Sequence, residues 1–396
     1  MNEASSSSRP AVLRMVAKPY RPSFQPVSTG FPQTRPPAKL RYYWRATSVQ
    51  SESSAKHVSP QNRDLPHPAA GRRMWLSAAR AYNPQSKIST PNLDRLAGQG
   101  MLFSDAHSPS TVCTPTRYSI MTGRMAFRTG MKGVFTGVEG PSLIEADRLT
   151  LSGMLRDSGY STALIGKWHI GMTFLTAEGK PVHEISLPGE TRAERRGVGV
   201  ERVRRVDFTK PIPDGPIHRG FDRFFGTVAC PTTDWLYAWI DGDRVPVPPT
   251  ALLDCTPLPK HPYANDNRQS MIAPDFDVEE VDMVFLEKSI DFLEAHAAES
   301  PNKPFFLFHS TQAVHLPSFP GDDFKGKTEA GPHGDFIFEL DHIVGELLAT
   351  LDRLELTDNT LVIFTSDNGP EVITTYHMRT DYAHDGARPW RGVKRD

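Results

Sequence analysis

The sequence predicts an α/β fold, and three observations point to it. Short, near-continuous apolar runs within 159–166, 303–309 and 361–365 read as buried strands. Longer stretches at 278–298 and 334–354 repeat apolar residues near the helical period: Val281, Phe285, Ile290 and Phe292 in one, Leu340, Val344, Leu347 and Leu351 in the other. These two helices are expected to flank the sheet. At 396 residues with 38% hydrophobic content, the chain can bury a large core in one α/β domain of about 300 residues.

Residues 1–80 stand apart in composition. They carry 13 Lys and Arg against 3 Asp and Glu, with Ser- and Pro-rich stretches such as 3–10 and 34–39. Such a segment buries too little apolar surface to order itself, so it is expected to be disordered. An Arg- and Ser-rich, acid-poor arm is also the composition of a transit-like or nucleic-acid-binding segment.

Ordered sequence is expected from residue 81. Thr90 is placed as the N-cap of a first helix, with Pro91 at its first position and Gly100 as its terminator. A second helix is expected over 115–121, because proline is tolerated in the first helical turn. Cys113 then stands at a helix N-terminus, where unpaired N–H groups and the helix dipole favour an anion. Arg117, four residues on, shares the helical face of residue 113, and its planar fork of donors suits an oxyanion. By itself this spacing is equally that of a buried structural cysteine before an ordinary helix.

The strand within 159–166 runs into Gly166-Lys167-Trp168-His169. Residues just past strand C-terminal ends line the ligand crevice of an open α/β sheet, which makes Lys167 and His169 site candidates. The stretch 172–275 says least. His218 is read as structural, and prolines 246, 248, 249, 257, 259 and 262 mark an irregular loop. Arginines 192, 195, 196, 202, 204 and 205 form a basic cluster, read as a solvated loop face. After the strand at 303–309 comes Val314-His315-Leu316-Pro317, and after the run at 361–365 comes Ser366-Asp367-Asn368-Gly369-Pro370. Asp367 and Asn368 offer hard oxygen ligands for Ca²⁺ or Mg²⁺ at the end of a core strand. Asp-Asn-Gly is equally a plain turn.

Cys113-Thr114-Pro115-Thr116-Arg117 resembles the Cys-x-Pro-x-Arg site of the type I sulfatases. The blocks at 90–97, 122–124, 159–169, 314–317, 361–370 and 392–394 follow in that family's order, so the resemblance covers about residues 81–396. It implies an alkaline-phosphatase-like α/β fold, with a central, mostly parallel sheet flanked by helices on both faces. It also implies that a formylglycine-generating enzyme converts Cys113 to formylglycine, whose hydrate attacks the sulfur of a sulfate monoester. Carried onto this chain, the catalytic set is Cys113, Arg117, Lys167, His169, His315 and Lys394. Asp367 and Asn368 would hold a divalent metal, Ca²⁺ first and Mg²⁺ second. His315 rather than His309 matches the family's histidine before x-Pro and would protonate the leaving alcohol, with His169 as the base that releases sulfate. The expected substrate is a sulfated small molecule or sulfated carbohydrate, and the arginine cluster is open to the alternative of attracting a sulfated polysaccharide.

The chain departs from that pattern at both ends. Family members open with an apolar strand ending in paired aspartates, which supply half the metal site, and residues 1–80 contain neither. Family-like sequence resumes at Tyr82-Asn83-Pro84-Gln85-Ser86-Lys87, so the preceding segment is read as replacing that strand. The Trp/Tyr-Glu-Gly-Gly stretch that follows the family's second lysine is missing after Lys394, so 81–396 is read as a catalytic domain lacking its C-terminal part. Two other classes stay open: a phosphoesterase or phosphonate hydrolase of the same superfamily, and an inactive sulfatase remnant without the aspartates.

A net charge of −1 predicts no strong global steering. Three cysteines exclude a disulfide framework, and Cys230 and Cys255 are read as two unrelated core or loop thiols that would pair only if exported. No run approaches the roughly 18 apolar residues of a membrane span, and no apolar h-region marks a signal peptide. No nucleic-acid or membrane partner is expected. Family members are often periplasmic or secreted, which leaves localisation open.

Overall fold

The computed structural model describes residues 79–187, 198–265, 267–389 and 392–395. These lie within one compact unit, 65–396. The expected disorder of 1–80 falls outside the described residues up to position 78, as do arginines 192, 195 and 196.

In chain order the elements are α1 (Pro91–Gln99), α2 (Cys113–Thr122), α3 (Leu151–Asp157), β1 (Ser161–Lys167), α4 (Gly199–Val203), β2 (Arg223–Thr227), β3 (Leu236–Tyr237), β4 (Ile240–Asp241), β5 (Ala251–Leu252), β6 (Met271–Ile272), α5 (Val281–Glu299), β7 (Phe305–Ser310), α6 (Gly331–Arg353) and α7 (Val372–Tyr382). The main sheet has the order β4-β2-β1-β7. β1 pairs in parallel with β2 and with β7, and β4 closes the β2 edge antiparallel. A small sheet, β3-β6-β5, lies apart.

β1 is buried along nearly its whole length, as a parallel strand flanked on both sides must be. Its Ala163, Leu164 and Ile165 join Trp168, Phe221, Phe224, Phe285 and Phe292 in the principal core. α5 packs on β1, β2 and β7, α6 packs on α5, and α3 packs on β1. Both long helices thus form where their apolar period predicts, starting at Val281 and Gly331. Because β1, β2 and β7 are parallel, their C-terminal ends emerge at one edge. Gly166 permits this crowding: it has φ 118°, and a Cβ there would stand 2.0 Å from the carbonyl oxygen of Ser310 on β7.

One predicted strand differs. Residues 361–365 run outside any ladder, with Leu361 84% and Ile363 74% exposed. Only Phe364 packs inward, against the cluster of Ala79, Leu93, Val344 and Leu348. An apolar pattern creates a demand for burial, but a strand also needs a neighbour for its backbone, and β7 is an edge of the described sheet.

Candidate active site

Four segments converge where the parallel strands end. α2 carries Cys113 at its first turn, with Val112 as N-cap. β1 ends in Lys167 and leads to His169, which adopts a left-handed backbone at φ 60°. β2 leads to Cys230, and β7 leads through Ser310 to His315. The backbone of His169 ties three of these together: its carbonyl accepts from Thr114 Oγ1 at 2.8 Å and its N–H donates to the Val228 carbonyl at 2.9 Å.

Cys113 is buried, with Sγ 3.6 Å from Lys167 Nζ and 3.4 Å from Asn368 Oδ1. Cys230 Sγ is its hydrogen-bonding neighbour and lies 3.8 Å from both His169 Nδ1 and His315 Nε2. The ring of His169 is oriented by Nε2, which donates to the Phe135 carbonyl at 2.8 Å. Its Nδ1 is therefore the face that exchanges a proton with the site. His315 is oriented the opposite way: Nδ1 donates to the Leu316 carbonyl, leaving Nε2 to accept from Lys394 Nζ at 2.8 Å.

Lys394 is held in place. Its Nζ is 3.0 Å from Glu371 Oε2, its backbone N–H donates to the Pro370 carbonyl at 2.7 Å, and it is 6% exposed. A solvated end is the competing expectation for a residue so near the terminus, and burial replaces it. Arg117 points its guanidinium along the strand ends. Nε donates to Asp367 Oδ2 at 2.8 Å, and Nη1 donates to the Lys167 carbonyl at 2.8 Å and to Ser310 Oγ at 2.7 Å.

The electrostatics follow from burying two thiols among two ammonium groups and two imidazoles. For Cys113, the Cys230 contact and burial push the thiol up, but Lys167, His169 and His315 outweigh them and bring it down to about 6. Cys230 is held well below the ordinary thiol range by its Cys113 contact, with Lys167 and His169 overcoming burial. Burial alone would lower His169; the facing Cys230 sulfur overrides it against Lys167 and raises the imidazole to about 9. His315 goes the other way, pushed down by burial and by Lys394 and Lys167. One histidine is thus poised as an imidazolium and the other as a neutral base.

The expected catalytic residues Cys113, Arg117, Lys167, His169, His315 and Lys394 come together, with Asp367 and Asn368 at the same edge and the Arg117 guanidinium bonded to Asp367, the Lys167 carbonyl and Ser310. His309 does not join them: its Nδ1 is 2.7 Å from Ser289 Oγ on α5. Asp367 and Asn368 each present a hard oxygen, Asp367 Oδ2 engaged by Arg117 and Asn368 Oδ1 facing Cys113. A Ca²⁺ takes six to eight oxygens. Among the described residues no group of three or more His, Cys, Asp or Glu stands ready for a metal, so these residues alone do not fit a complete site.

Cys230 and Cys255 are two separate free thiols, as expected, and Cys230 in addition belongs to the centre. The same strand-end reasoning that found Lys167 reaches Cys230, three residues past β2. Two expectations are corrected. Arg202 is no solvated loop residue: it is 5% exposed, and its Nη1 donates to the carbonyls of Val182 at 2.7 Å and Ile185 at 3.2 Å. The run 361–365 is an extended, largely exposed segment leading into Asp367 rather than a core strand. Sequence reasoning also missed Glu371, which positions Lys394, and Asp282 on α5. Asp282 accepts from the N–H groups of Gln312 and Ala313 at 2.7 and 2.6 Å and so pins the loop that carries His315.

Among the described residues no helix is long and apolar enough to cross a membrane. The sulfatase family profile matches residues 76–389. An N-acetylgalactosamine-6-O-sulfatase of Bacteroides thetaiotaomicron is 31% identical over 330 residues, covering 78% of this chain and 60% of that protein. Bovine (Bos taurus) arylsulfatase A is 31% identical over 304 residues, covering 73% of this chain and 49% of the relative. The chain therefore spans about half to three-fifths of these relatives' length. A solved Bacteroides thetaiotaomicron protein from a locus for the metabolism of multiple glycosaminoglycans superposes with a TM-score of 0.59 at 27% identity, covering 76% of this chain and 62% of that one. The profile, the relatives and the shared fold agree with the clustered Cys113 site: the chain belongs to the type I sulfatases of the alkaline-phosphatase-like superfamily.

Proposed function

We infer that the chain hydrolyses a sulfate monoester, with residue 113 as the attacking group after conversion to formylglycine. The observation that carries this reading is a buried helix N-terminus bearing Cys113, faced by Lys167 3.6 Å away and ringed by His169, His315 and Lys394. In the structure the Cys113 thiol occupies the place of the hydrate's oxygens. A formylglycine hydrate would supply one hydroxyl to attack sulfur and a second whose collapse to the aldehyde expels sulfate.

The chain's own residues supply the rest. Lys167 and Lys394 place two ammonium groups where a sulfate's oxygens would lie, in a setting where fixed charge stabilises a developing anion strongly. His315 is neutral while the site is empty of anion, and a bound sulfate monoanion would raise it by offsetting the two lysines. Lys394 and His315 then form one relay, from which Nε2 hands a proton to the departing alcohol oxygen. His169 presents Nδ1 to the site and, once it has released the proton that the facing Cys230 sulfur holds on it, takes that of the second hydroxyl. Arg117 and Asp367 hold the strand ends in register.

The named relative acts on a sulfated amino sugar, and a sulfated carbohydrate is the substrate class proposed for this chain. A formylglycine-generating enzyme is the maturation partner. A divalent cation, Ca²⁺ or Mg²⁺, at Asp367 and Asn368 belongs to the family reading, and no step here is routed through it. A second reading is an inactive remnant. Co-expression with a formylglycine-generating enzyme separates the two. An aldehyde on the Cys113 peptide, hydrolysis of an aryl sulfate over an aryl phosphate, and loss of turnover in Cys113→Ala support the enzyme. An aldehyde without turnover establishes the remnant, and preference for the phosphate overturns the sulfatase reading.

A further inference from the structure

Cys230 has no part in the hydrolysis proposed above, yet it is a buried thiol in contact with the residue to be modified. Three features hold the pair together. Cys113 is fixed on the first turn of α2, and Cys230 follows β2 by three residues. Both segments are bonded to the backbone of the same residue, His169, through Thr114 Oγ1 and the Val228 carbonyl. The two buried sulfurs face the same small cluster: Cys113 Sγ lies 3.6 Å from Lys167 Nζ, Cys230 Sγ lies 3.8 Å from His169 Nδ1 and His315 Nε2, and a disulfide between them closes at about 2.05 Å.

We propose that in the unconverted chain Cys113 and Cys230 are a redox pair that closes to a disulfide, making Cys113 a site of two mutually exclusive modifications. The oxidant is a small peroxide, which suits thiols only 2% and 7% exposed. Cys230 sulfur attacks one peroxide oxygen, the O–O bond breaks, and the thiol proton passes to the neutral His315 at Nε2, 3.8 Å away. With hydrogen peroxide the products are a sulfenic acid and hydroxide, which recovers that proton as water. Cys113 sulfur then attacks the sulfenic sulfur, the S–OH bond breaks, and the hydroxide leaves with the Cys113 proton as a second water. Two thiols are oxidised by two electrons and one peroxide is reduced. The bond occupies the sulfur that aldehyde formation requires, and a reducing thiol restores it.

The mutual exclusion rests on the proposed conversion of Cys113, the disulfide itself does not, and the test uses chain made without a formylglycine-generating enzyme. The folded protein is treated with hydrogen peroxide, alkylated with iodoacetamide in denaturant, digested without reductant and analysed by mass spectrometry. The expected result is a Cys113–Cys230 cross-linked peptide two hydrogens lighter than its parts. Alkylatable thiols fall from three to one, Cys255, and reductant restores all three. In Cys230→Ser, checked for an unchanged melting temperature, Cys113 is expected to run on to sulfinic acid under the same peroxide dose. Full alkylation of Cys113 and Cys230 after oxidation would overturn the proposal. So would a bridge to Cys255, or Cys113 oxidation that the Cys230 substitution leaves unchanged.

Discussion

Replacing Arg117 tests whether the site edge is held by one side chain. Its guanidinium makes three hydrogen bonds, to Asp367 Oδ2, to the Lys167 carbonyl and to Ser310 Oγ, at 2.7–2.8 Å. The Asp367 bond is charge-assisted, with side chains only 12% and 17% exposed, and is worth about 1.5–3 kcal/mol. The two bonds to neutral acceptors add about 1 kcal/mol each, partly offset because Ser310 Oγ keeps its own bond to the Lys167 carbonyl. Arg117→Ala should therefore cost about 3–4 kcal/mol, near the lower end of what breaking a buried pair costs. Arg117→Lys retains the charge, but a single ammonium cannot span all three acceptors, so about 1.5–2.5 kcal/mol is expected. Urea unfolding of the two variants beside the parent, with the slope unchanged, measures both values. An alanine variant within 1 kcal/mol of the parent would refute the reasoning, and so would a lysine variant as unstable as the alanine one.

Two further outcomes follow from the same geometry. Lys394→Met removes the ammonium 2.8 Å from His315 Nε2, and a loss of about 10²–10³ in kcat toward an aryl sulfate is expected. Because Lys394 is one of the groups depressing His315, the histidine's limb of the pH–rate profile should move upward; an unmoved limb would show that the two do not act together. Acid should destabilise the fold through two histidines kept neutral by burial, His309 at about 4 and His333 at about 3. Both are depressed below their unfolded value of about 6.5, so their contribution is complete above that pH and is lost progressively as pH falls from there to the folded values. By pH 4.5 each should cost about 2.5 kcal/mol. Urea midpoints at pH 7 and 4.5 measure this, and His309→Gln should recover about half the difference.

Elements whose information is local are legible in the chain itself. Pro91 starts α1, with Thr90 at the N-cap position but making no side-chain capping bond; the apolar period sets α5 and α6, and continuous apolar runs mark β1 and β7, because helical period and strand burial depend on neighbours a few residues away. The ordered blocks around Lys167, His169 and His315 name a chemistry for the same reason: each lies at or just past the end of a strand that can be located.

Tertiary structure alone decided the rest. Nothing near Lys394 in sequence shows that Glu371 buries it against His315, and nothing near Cys230 shows that 116 intervening residues bring it back to the Cys113 site. Arg117 shares a helical face with residue 113, yet the three acceptors that fix it come from β1, β7 and the 366–368 turn. The run at 361–365 has the composition of a core strand and stands exposed, since hydrophobicity is a property of residues while a ladder is a property of partners. By itself the sequence determined which side chains were available and where helices and strands would form. Which of those side chains meet, how deeply, and with what effect on their charge was set by long-range packing, because contact distance and burial depend on segments hundreds of residues apart.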